Sequence, residues 1–181
     1  MKNGDGFIVR TEVEIEVGFL SITLYRFKHD AVETWSGGRL VGFVSRTNDD
    51  GKDRAVDLRA EGDRLKGVYN DNPVDFPGDI IPASLWHPGT LTATALLDPI
   101  RGRNRDVAVE DRGMERITVA GQELETHHYS ISGQMVRELW YDADGRLVQV
   151  HFPAKVNARL SSSVFMSWKR RIAGCGWRKR S

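Results

Sequence analysis

The stretch LWYDADGRLVQVHF, residues 139–152, decides the fold because it holds a strand, a turn and a returning strand in sequence. Residues 139–141 are the aliphatic and aromatic types that strands favour, and residues 147–152 resume the same composition. Between them, the two aspartates of residues 142–145 can bond to the nearby backbone, and Gly145 tolerates the positive φ that closes such a loop. This segment therefore predicts a β-hairpin.

The rest of the chain repeats the pattern of this hairpin. Residues 7–17 place Phe7, Val9 and Val13 on one face and glutamates on the other, which predicts a strand with one buried face. Gly37-Gly38 is a strong hairpin turn signal between two further strands. Roughly ten to twelve short strands predict an all-β, antiparallel protein. Besides residues 7–17 and the first hairpin, the predicted strands are 19–28, 32–35, 40–47, 54–61, 64–69, 106–110, 116–119, 123–131, 135–141 and 156–166.

A proline-rich insert, residues 70–103, interrupts this pattern. Five of the chain's six prolines fall within it, and proline cannot sit in a central strand. Residues 80–86 are predicted to form one helical turn and residues 90–97 a short helix whose leucines face the sheet. We expect this helical insert to pack across the concave face of the sheet.

The composition predicts one globular domain followed by a basic tail. A chain of 181 residues with 40% hydrophobic and 28% charged residues is of ordinary globular composition. Residues 164–181 contain six of the 26 basic residues and no acidic residue, which leaves residues 1–163 with 20 basic and 25 acidic residues. The predicted β domain spans residues 1–166, and the tail spans residues 167–181.

The tail combines basic and aromatic residues, as nucleic-acid arms and anionic-membrane anchors do. Its two clusters are short, so we interpret it as a solvated, mobile terminus. Cys175 is the single cysteine, which excludes an intrachain disulfide and a cysteine-rich zinc site. No cofactor and no metal site is predicted.

Several stretches resemble a family of uncharacterised bacterial proteins, a domain of unknown function. They are ITLYRFKHDAVETWSGGRLVGFVSRTNDDGK at residues 22–52, SLWHP at residues 84–88, LLD at residues 96–98, and LWYDADGRLV at residues 139–148. The resemblance runs from about Phe7 to Phe152. It implies a curved antiparallel sheet, loosely similar to the half-barrels of periplasmic lipoprotein carriers, and no established reaction.

The resemblance also implies a periplasmic or exported protein, because members of the family carry an export signal and an additional first hairpin. The first residues here, MKNGDGF, do not contain the apolar core of a secretory signal, which indicates either a cytoplasmic protein or a mature or truncated form of an exported one. Both locations stay open at this point.

Two groups of histidines are candidates for chemistry. His127 and His128 are adjacent, but neighbouring side chains of a strand point to opposite faces, so the pair cannot readily chelate one metal ion. His87 follows Trp86 in the insert, near Asp79 and Asp98 in sequence, and a histidine with a carboxylate partner can act as a general base. No recognised nucleophile motif accompanies it, which favours a capping or packing role for Trp86 and His87 over catalysis.

Three functional hypotheses follow. The first is a non-enzymatic binding protein whose concave face holds a small apolar ligand, lipid or acyl chain, with ligand-binding residues Phe19, Trp35, Phe43, Trp86 and Trp140. The second is an enzyme of unknown type that uses His87 with Asp79 or Asp98. The third is an interaction module that forms a homodimer through an exposed strand edge.

Overall fold

The computed structural model of the chain describes residues 6–19, 22–119, 121–152 and 171–173. These residues form thirteen strands and one short 3₁₀ helix, so the predicted all-β class is confirmed. The strands form two sheets rather than one sheet. The chain divides into two compact units: unit 1 comprises residues 1–80, 99–103 and 160–181, and unit 2 comprises residues 81–98 and 104–159.

Unit 1 contains a seven-stranded sheet with the order β13-β1-β2-β3-β4-β5-β6, and every pair of neighbours is antiparallel. Gly37 and Gly38 have φ values of 56° and 76° and form the tight turn between β2 and β3, as predicted. The strands are β1 (Phe7–Phe19), β2 (Ile22–Ser36), β3 (Arg39–Asp49), β4 (Lys52–Glu61), β5 (Arg64–Tyr69), β6 (Asn72–Pro77) and β13 (Arg171–Ala173).

Unit 2 contains a six-stranded sheet with the order β12-β11-β10-β9-β8-β7. Strands β7 and β8 are parallel, and β9 to β12 form an antiparallel meander. The strands are β7 (Ile81–Pro82), β8 (Ala95–Asp98), β9 (Arg103–Val119), β10 (Gln122–Gly133), β11 (Arg137–Tyr141) and β12 (Leu147–His151), and the 3₁₀ helix is Pro88–Thr92.

The hairpin that anchored the sequence analysis forms as predicted. The Asp142 Oδ1 atom accepts hydrogen bonds from the backbone N–H groups of Asp144 and Arg146, at 3.0 and 2.8 Å. Gly145 has a φ of 73°, and its N–H donates to the Asp142 carbonyl oxygen. The turn between β11 and β12 therefore uses both features that the sequence indicated.

The prediction of a helical insert over residues 70–103 is wrong. The segment contains strands β6, β7 and β8, and its helical part is the 3₁₀ helix Pro88–Thr92. Pro73 and Pro77 lie in β6, and Pro82 lies in β7. Both strands are at the edges of their sheets, where proline is tolerated because one side of the strand forms no hydrogen bonds to a neighbouring strand. Proline therefore marked edge strands here rather than the end of the sheet pattern.

Residues 81–98 belong in part to the sheet of unit 2, because β7 and β8 are two of its strands. Leu85, between β7 and β8, and Leu96 of β8 pack with Ile131, Leu139 and Tyr141 in the hydrophobic core of unit 2. The packing of the insert across a concave face stays a prediction. The concave, half-barrel shape of the sheet stays a prediction, as does the assignment of residues 1–166 to one domain.

Two gaps between predicted strands, at residues 29–31 and 111–115, are part of continuous strands in the structure. Strand β2 runs through residues 29–31, and β9 runs through the predicted turn at residues 111–113. At the latter place the Asp111 carboxylate accepts from the Gly113 N–H at 2.7 Å and Gly113 has a φ of 85°, but the pairing continues past a register shift. The turn chemistry therefore makes a β-bulge.

The tail contributes one strand to the sheet of unit 1. Residues 171–173 pair with Ile8, Val9 and Arg10 of β1, so these three residues differ from the predicted mobile terminus. An edge strand offers unpaired backbone groups, and these residues satisfy part of them on β1. The rest of the tail and the predicted strand over residues 156–166 lie outside the described residues.

Candidate functional site

The predicted ligand-binding aromatics are divided between the two units. Trp35 and Phe43 lie in unit 1 and are 2% and 0% exposed, so both are core residues of the first sheet. Trp86 and Trp140 lie in unit 2, where Trp140 is 8% exposed and Trp86 is half-buried. Phe19 ends strand β1, and its side chain lies outside the described part. The binding role of these residues stays a prediction.

One face of the β1–β2 pair changes in exposure along its length. Direct cross-strand partners share a face, so the register Thr11↔Ala31, Val13↔His29 and Ile15↔Phe27 joins two rows of side chains. Val9, Glu33 and Trp35 on this face are buried, whereas Phe7, the cross-strand partner of Trp35, is half-buried. Toward the other end it becomes half-exposed at a set of residues that we call the open half: Thr11, Val13, Ile15, Tyr25 and Phe27.

The open half is mainly apolar, while the opposite face of the same strands is charged. Val13, Ile15 and Phe27 alternate with exposed residues such as Glu14 and Lys28, which are paired across the strands. The period-two pattern that predicted a strand with one buried face is therefore present in the structure. However, the apolar face is fully buried over only part of its length.

Buried polar side chains lie next to the open half. The His29 ring Nδ1 lies 2.7 Å from the Thr47 Oγ1, and both residues are buried. The His29 ring is also stacked on Phe27, with centroids 6.4 Å apart. Ser45 lies two residues before Thr47 on β3, on the same face. Its hydroxyl donates a hydrogen bond to the Pro99 carbonyl oxygen at 2.6 Å. A row of polar groups thus crosses the otherwise apolar face.

Tyr25, Asp49 and Arg54 form a hydrogen-bonded network at the end of the open half. The Asp49 carboxylate accepts from the Arg54 guanidinium and the Tyr25 hydroxyl, both at 2.8 Å. The bond from Arg54, and then that from Tyr25, hold the pKa of Asp49 below its ordinary value. Burial, followed by the bond to Asp49, raises the pKa of Tyr25 to about 12. The charge of Asp49 is therefore matched locally by Arg54.

His87 has a capping role in the structure. It is the N-cap of the 3₁₀ helix, and its Nδ1 accepts the Gly89 N–H at 3.0 Å. The ring makes an edge contact with Trp86, with centroids 5.3 Å apart, and burial lowers the pKa of His87. A neutral ring accepts a hydrogen bond at one nitrogen, which suits the capping role.

The two aspartates proposed as partners of His87 have different surroundings. The Oδ2 atom of Asp98 accepts from Nε and Nη2 of Arg105, at 2.9 and 2.7 Å. Asp79 is exposed and belongs to unit 1, whereas His87 belongs to unit 2. The observed partner of Asp98 is thus an arginine, and catalysis by His87 with either carboxylate stays a prediction.

The adjacent histidines have separate carboxylate partners, as the alternation of strand side chains predicts. His127 Nε2 lies 2.6 Å from the Asp111 Oδ1, and its ring is stacked on Tyr129 with centroids 4.7 Å apart. The N–H of Gly113 first, and then His127, hold the pKa of Asp111 below its ordinary value. His128 instead contacts carboxylates on the two neighbouring strands.

The His128 cluster consists of Glu115, His128, Ser130, Glu138 and Trp140, on strands β9, β10 and β11. His128 Nδ1 lies 3.0 Å from the Glu115 carboxylate, and Nε2 lies 2.7 Å from the Glu138 carboxylate. This cluster was not predictable from the sequence because its strands are brought together by long-range pairing. The alternation of β10 and β11 places His128 and Ser130 on one face and Glu138 and Trp140 on one face, but the strand register was needed to show that these residues meet.

Among the described residues, no group of three histidine, cysteine, aspartate or glutamate side chains could hold a metal ion. In the His128 cluster this has a plain geometric reason, because the two carboxylates contact opposite ring nitrogens and do not converge on one point with the imidazole. No helix in the described part of the chain is long and apolar enough to cross a membrane.

No curated protein and no solved structure matches the chain. The model of the DUF6134 family, described as a domain of unknown function, matches residues 1–160. This match confirms the predicted resemblance to a family of uncharacterised domains. The bacterial origin and the likeness to lipoprotein carriers stay predictions.

Proposed function

The chain belongs to the DUF6134 family, and from this premise we propose that it is a non-enzymatic binding protein for one acyl chain or a similarly slender apolar molecule. The ligand lies along the open half of the β1–β2 face in unit 1. One observation carries the proposal: the apolar row on this face continues beyond the point at which it is fully buried.

The dimensions and chemistry of the open half suit such a ligand. Thr11 to Ile15 spans about 13 Å at the usual rise of a strand, which is long enough for a medium-length acyl chain. Val13, Ile15 and Phe27 offer aliphatic and aromatic contacts. Apolar surface that is not fully removed from water favours association with an apolar partner.

The charges near the open half support a ligand that binds through its apolar part. Asp49 is bonded to Arg54 and Tyr25, so the most prominent charges at this end of the face already compensate each other. His29 is bonded to Thr47 within the sheet face. Specific recognition of a strongly charged head group would require these pairs to separate, which costs free energy.

The expected affinity follows from the buried surface. Burial of one methylene group contributes about 0.8 kcal/mol, so ten methylenes contribute roughly 8 kcal/mol, which corresponds to a dissociation constant of about 1 μM. Loss of ligand freedom on association weakens this value. We therefore expect dissociation constants on the order of 1–100 μM for a chain of this length.

Titration with the fluorescent apolar dye N-phenyl-1-naphthylamine tests the proposal. Val13→Lys places a charge on the open half, and Glu14→Lys places the same residue on the opposite, exposed face of the same strand. We expect dye fluorescence to rise with wild type and Glu14→Lys, and the binding to weaken at least tenfold in Val13→Lys.

The circular dichroism spectra of both variants verify that they fold. If Val13→Lys does not fold, Val13→Thr keeps the shape of the side chain and adds a hydroxyl group. Binding that is equal in wild type and the folded variant at position 13 would refute the proposed location. A dye that does not bind wild type would refute the proposed function.

A further inference from the structure

The His128 cluster of unit 2 is a chain of hydrogen bonds across three strands. His128 on β10 lies between Glu115 on β9 and Glu138 on β11, at 3.0 and 2.7 Å. The Trp140 Nε1 donates to the same Glu115 oxygen at 2.8 Å, and the Ser130 hydroxyl donates to the other Glu138 oxygen at 3.0 Å. Both ring nitrogens of His128 thus face a carboxylate oxygen, and each carboxylate also accepts a hydrogen bond from a neighbouring side chain.

The geometry determines how many protons the two imidazole contacts require. An ionised carboxylate only accepts hydrogen bonds, and a neutral imidazole has one N–H and one lone pair. Because each ring nitrogen of His128 faces a carboxylate oxygen, a neutral ring between two ionised carboxylates would place a lone pair against a negative oxygen. Two protons remove this conflict, either on the ring as an imidazolium or on the ring and one carboxyl group.

The Trp140 ring favours the imidazolium form. The His128 and Trp140 rings are stacked with centroids 4.5 Å apart and an angle of 11° between their planes. A cation on the face of an indole ring is stabilised by the ring quadrupole. Trp140 is 8% exposed, so this contact is largely shielded from water.

Few other charged side chains face the His128 cluster in the described part of the chain. On β9, Glu110 faces Ser130 across the strands but is paired with Arg112 at 2.9 Å. On β12, the exposed His151 is the cross-strand partner of Glu138. Further groups facing His128 are Glu115 and Glu138, which were described above.

We infer that the His128 cluster is a two-proton clasp that holds β9, β10 and β11 together while both protons are present and opens when one of them is removed. Loss of that proton leaves a ring nitrogen without a hydrogen to share with its carboxylate. The contact to β9 or to β11 then becomes repulsive. The clasp is independent of the ligand site proposed for unit 1, because it uses none of its residues.

Heteronuclear NMR of the full chain counts the protons directly. The signals of His128 are identified by comparison with His128→Gln. In the closed clasp we expect either both ring nitrogens of His128 to carry protons, or one ring proton together with a protonated carboxyl at Glu115 or Glu138. One ring proton with both carboxyls ionised would overturn the inference.

Amide hydrogen exchange tests the consequence for the strands. We expect His128→Gln to increase the exchange rates of amides in β10 and β11 roughly tenfold, and wild type to approach the variant as the pH is raised, after correction for intrinsic rates. His127→Gln is the matched control, because it changes the neighbouring histidine on the opposite face. Equal pH profiles for wild type and His128→Gln would overturn the inference.

Glu138→Gln retains the test if His128→Gln does not fold. Its amide N–H can donate to the His128 ring, and its carbonyl oxygen can still accept from Ser130, so the clasp needs one proton fewer. We expect this variant to keep slow exchange in β10 and β11 at a raised pH at which wild type loosens. A variant that loosens as wild type does would contradict the two-proton count.

Discussion

Replacing Tyr141 by phenylalanine removes a single hydrogen bond that joins residues 81–98 to the sheet of unit 2. The Tyr141 hydroxyl donates to the Leu85 carbonyl oxygen at 2.7 Å, and Tyr141 is 5% exposed. Leu85 has a φ of 65°, a conformation that is unfavourable for a leucine and that needs support from its surroundings. This bond therefore supports the segment at its most strained residue.

The cost of Tyr141→Phe follows from these contacts. The lost hydrogen bond contributes about 1 kcal/mol, and a buried carbonyl left without a partner costs about 1–3 kcal/mol. We therefore expect the free energy of unfolding to fall by about 2 kcal/mol, which lowers the melting temperature by roughly 4–8 °C for a chain of this size. Urea unfolding followed by circular dichroism measures the change, with an unchanged slope.

Tyr129→Phe is the matched control for Tyr141→Phe. It makes the same chemical change on β10, next to Tyr141, with the two rings 5.9 Å apart. The Tyr129 hydroxyl has no hydrogen-bond partner among the described residues, so we expect a loss below about 0.5 kcal/mol. Equal losses in the two variants would refute the role assigned to the bond with Leu85.

Three further perturbations test the packing and the charges. A Cβ atom at Gly67 would lie 1.9 Å from a backbone oxygen of β4, so Gly67→Ala should cost about 3 kcal/mol or more, whereas a Cβ atom at Gly42 on β3 would meet only ordinary contacts at 3.5 Å or more. Equal urea midpoints would contradict this reading. Arg105→Ala leaves the nearly buried Asp98 without its arginine and should lower the free energy of unfolding by roughly 2–4 kcal/mol, with partial recovery in Arg105→Lys. A loss under about 0.5 kcal/mol would contradict a stabilising role for this ion pair. Arg54 and Tyr25 hold the pKa of Asp49 below its ordinary value of 3.8. The ionised carboxylate therefore stabilises the fold above pH 3.8, and this stability is lost as the pH falls through the folded-state pKa. Asp49→Asn should therefore flatten the acid limb of the melting temperature, and an unchanged acid limb would argue against the network.

The all-β class was predictable because local patterns determine it. Alternation over residues 7–17 and the turn residues of Gly37-Gly38 and residues 142–145 are short-range signals that do not depend on distant contacts. They gave the correct hairpins. The same local signals failed at residues 111–113, where aspartate and glycine make a bulge, since bulges and turns use the same backbone conformations.

The arrangement into two sheets could not be predicted from these signals. Nothing in the local pattern distinguishes a proline in an edge strand from a proline in a loop, and so β6 and β7 were mistaken for part of a helical insert. Which strands lie at an edge depends on the whole strand order. That order is set by pairing between residues far apart in the chain.

The candidate residues show the same limit. The partners of His128 on β9 and β11 follow from cross-strand register, which a one-residue shift would invert. His87 attracted attention through its sequence neighbours, whereas its structural contact is a hydrogen bond to Gly89 within the same turn. Residue type indicated where chemistry was plausible, and register determined which residues meet.

Native mass spectrometry of the chain purified without detergent and then incubated with a medium-length fatty acid tests the binding function most directly. We predict a one-to-one adduct with wild type and with Glu14→Lys, and its loss or strong reduction with Val13→Lys. Organic extraction of the untreated protein identifies any apolar molecule that is already bound. A bare chain mass for wild type at fatty acid concentrations well above about 100 μM would contradict the proposed function.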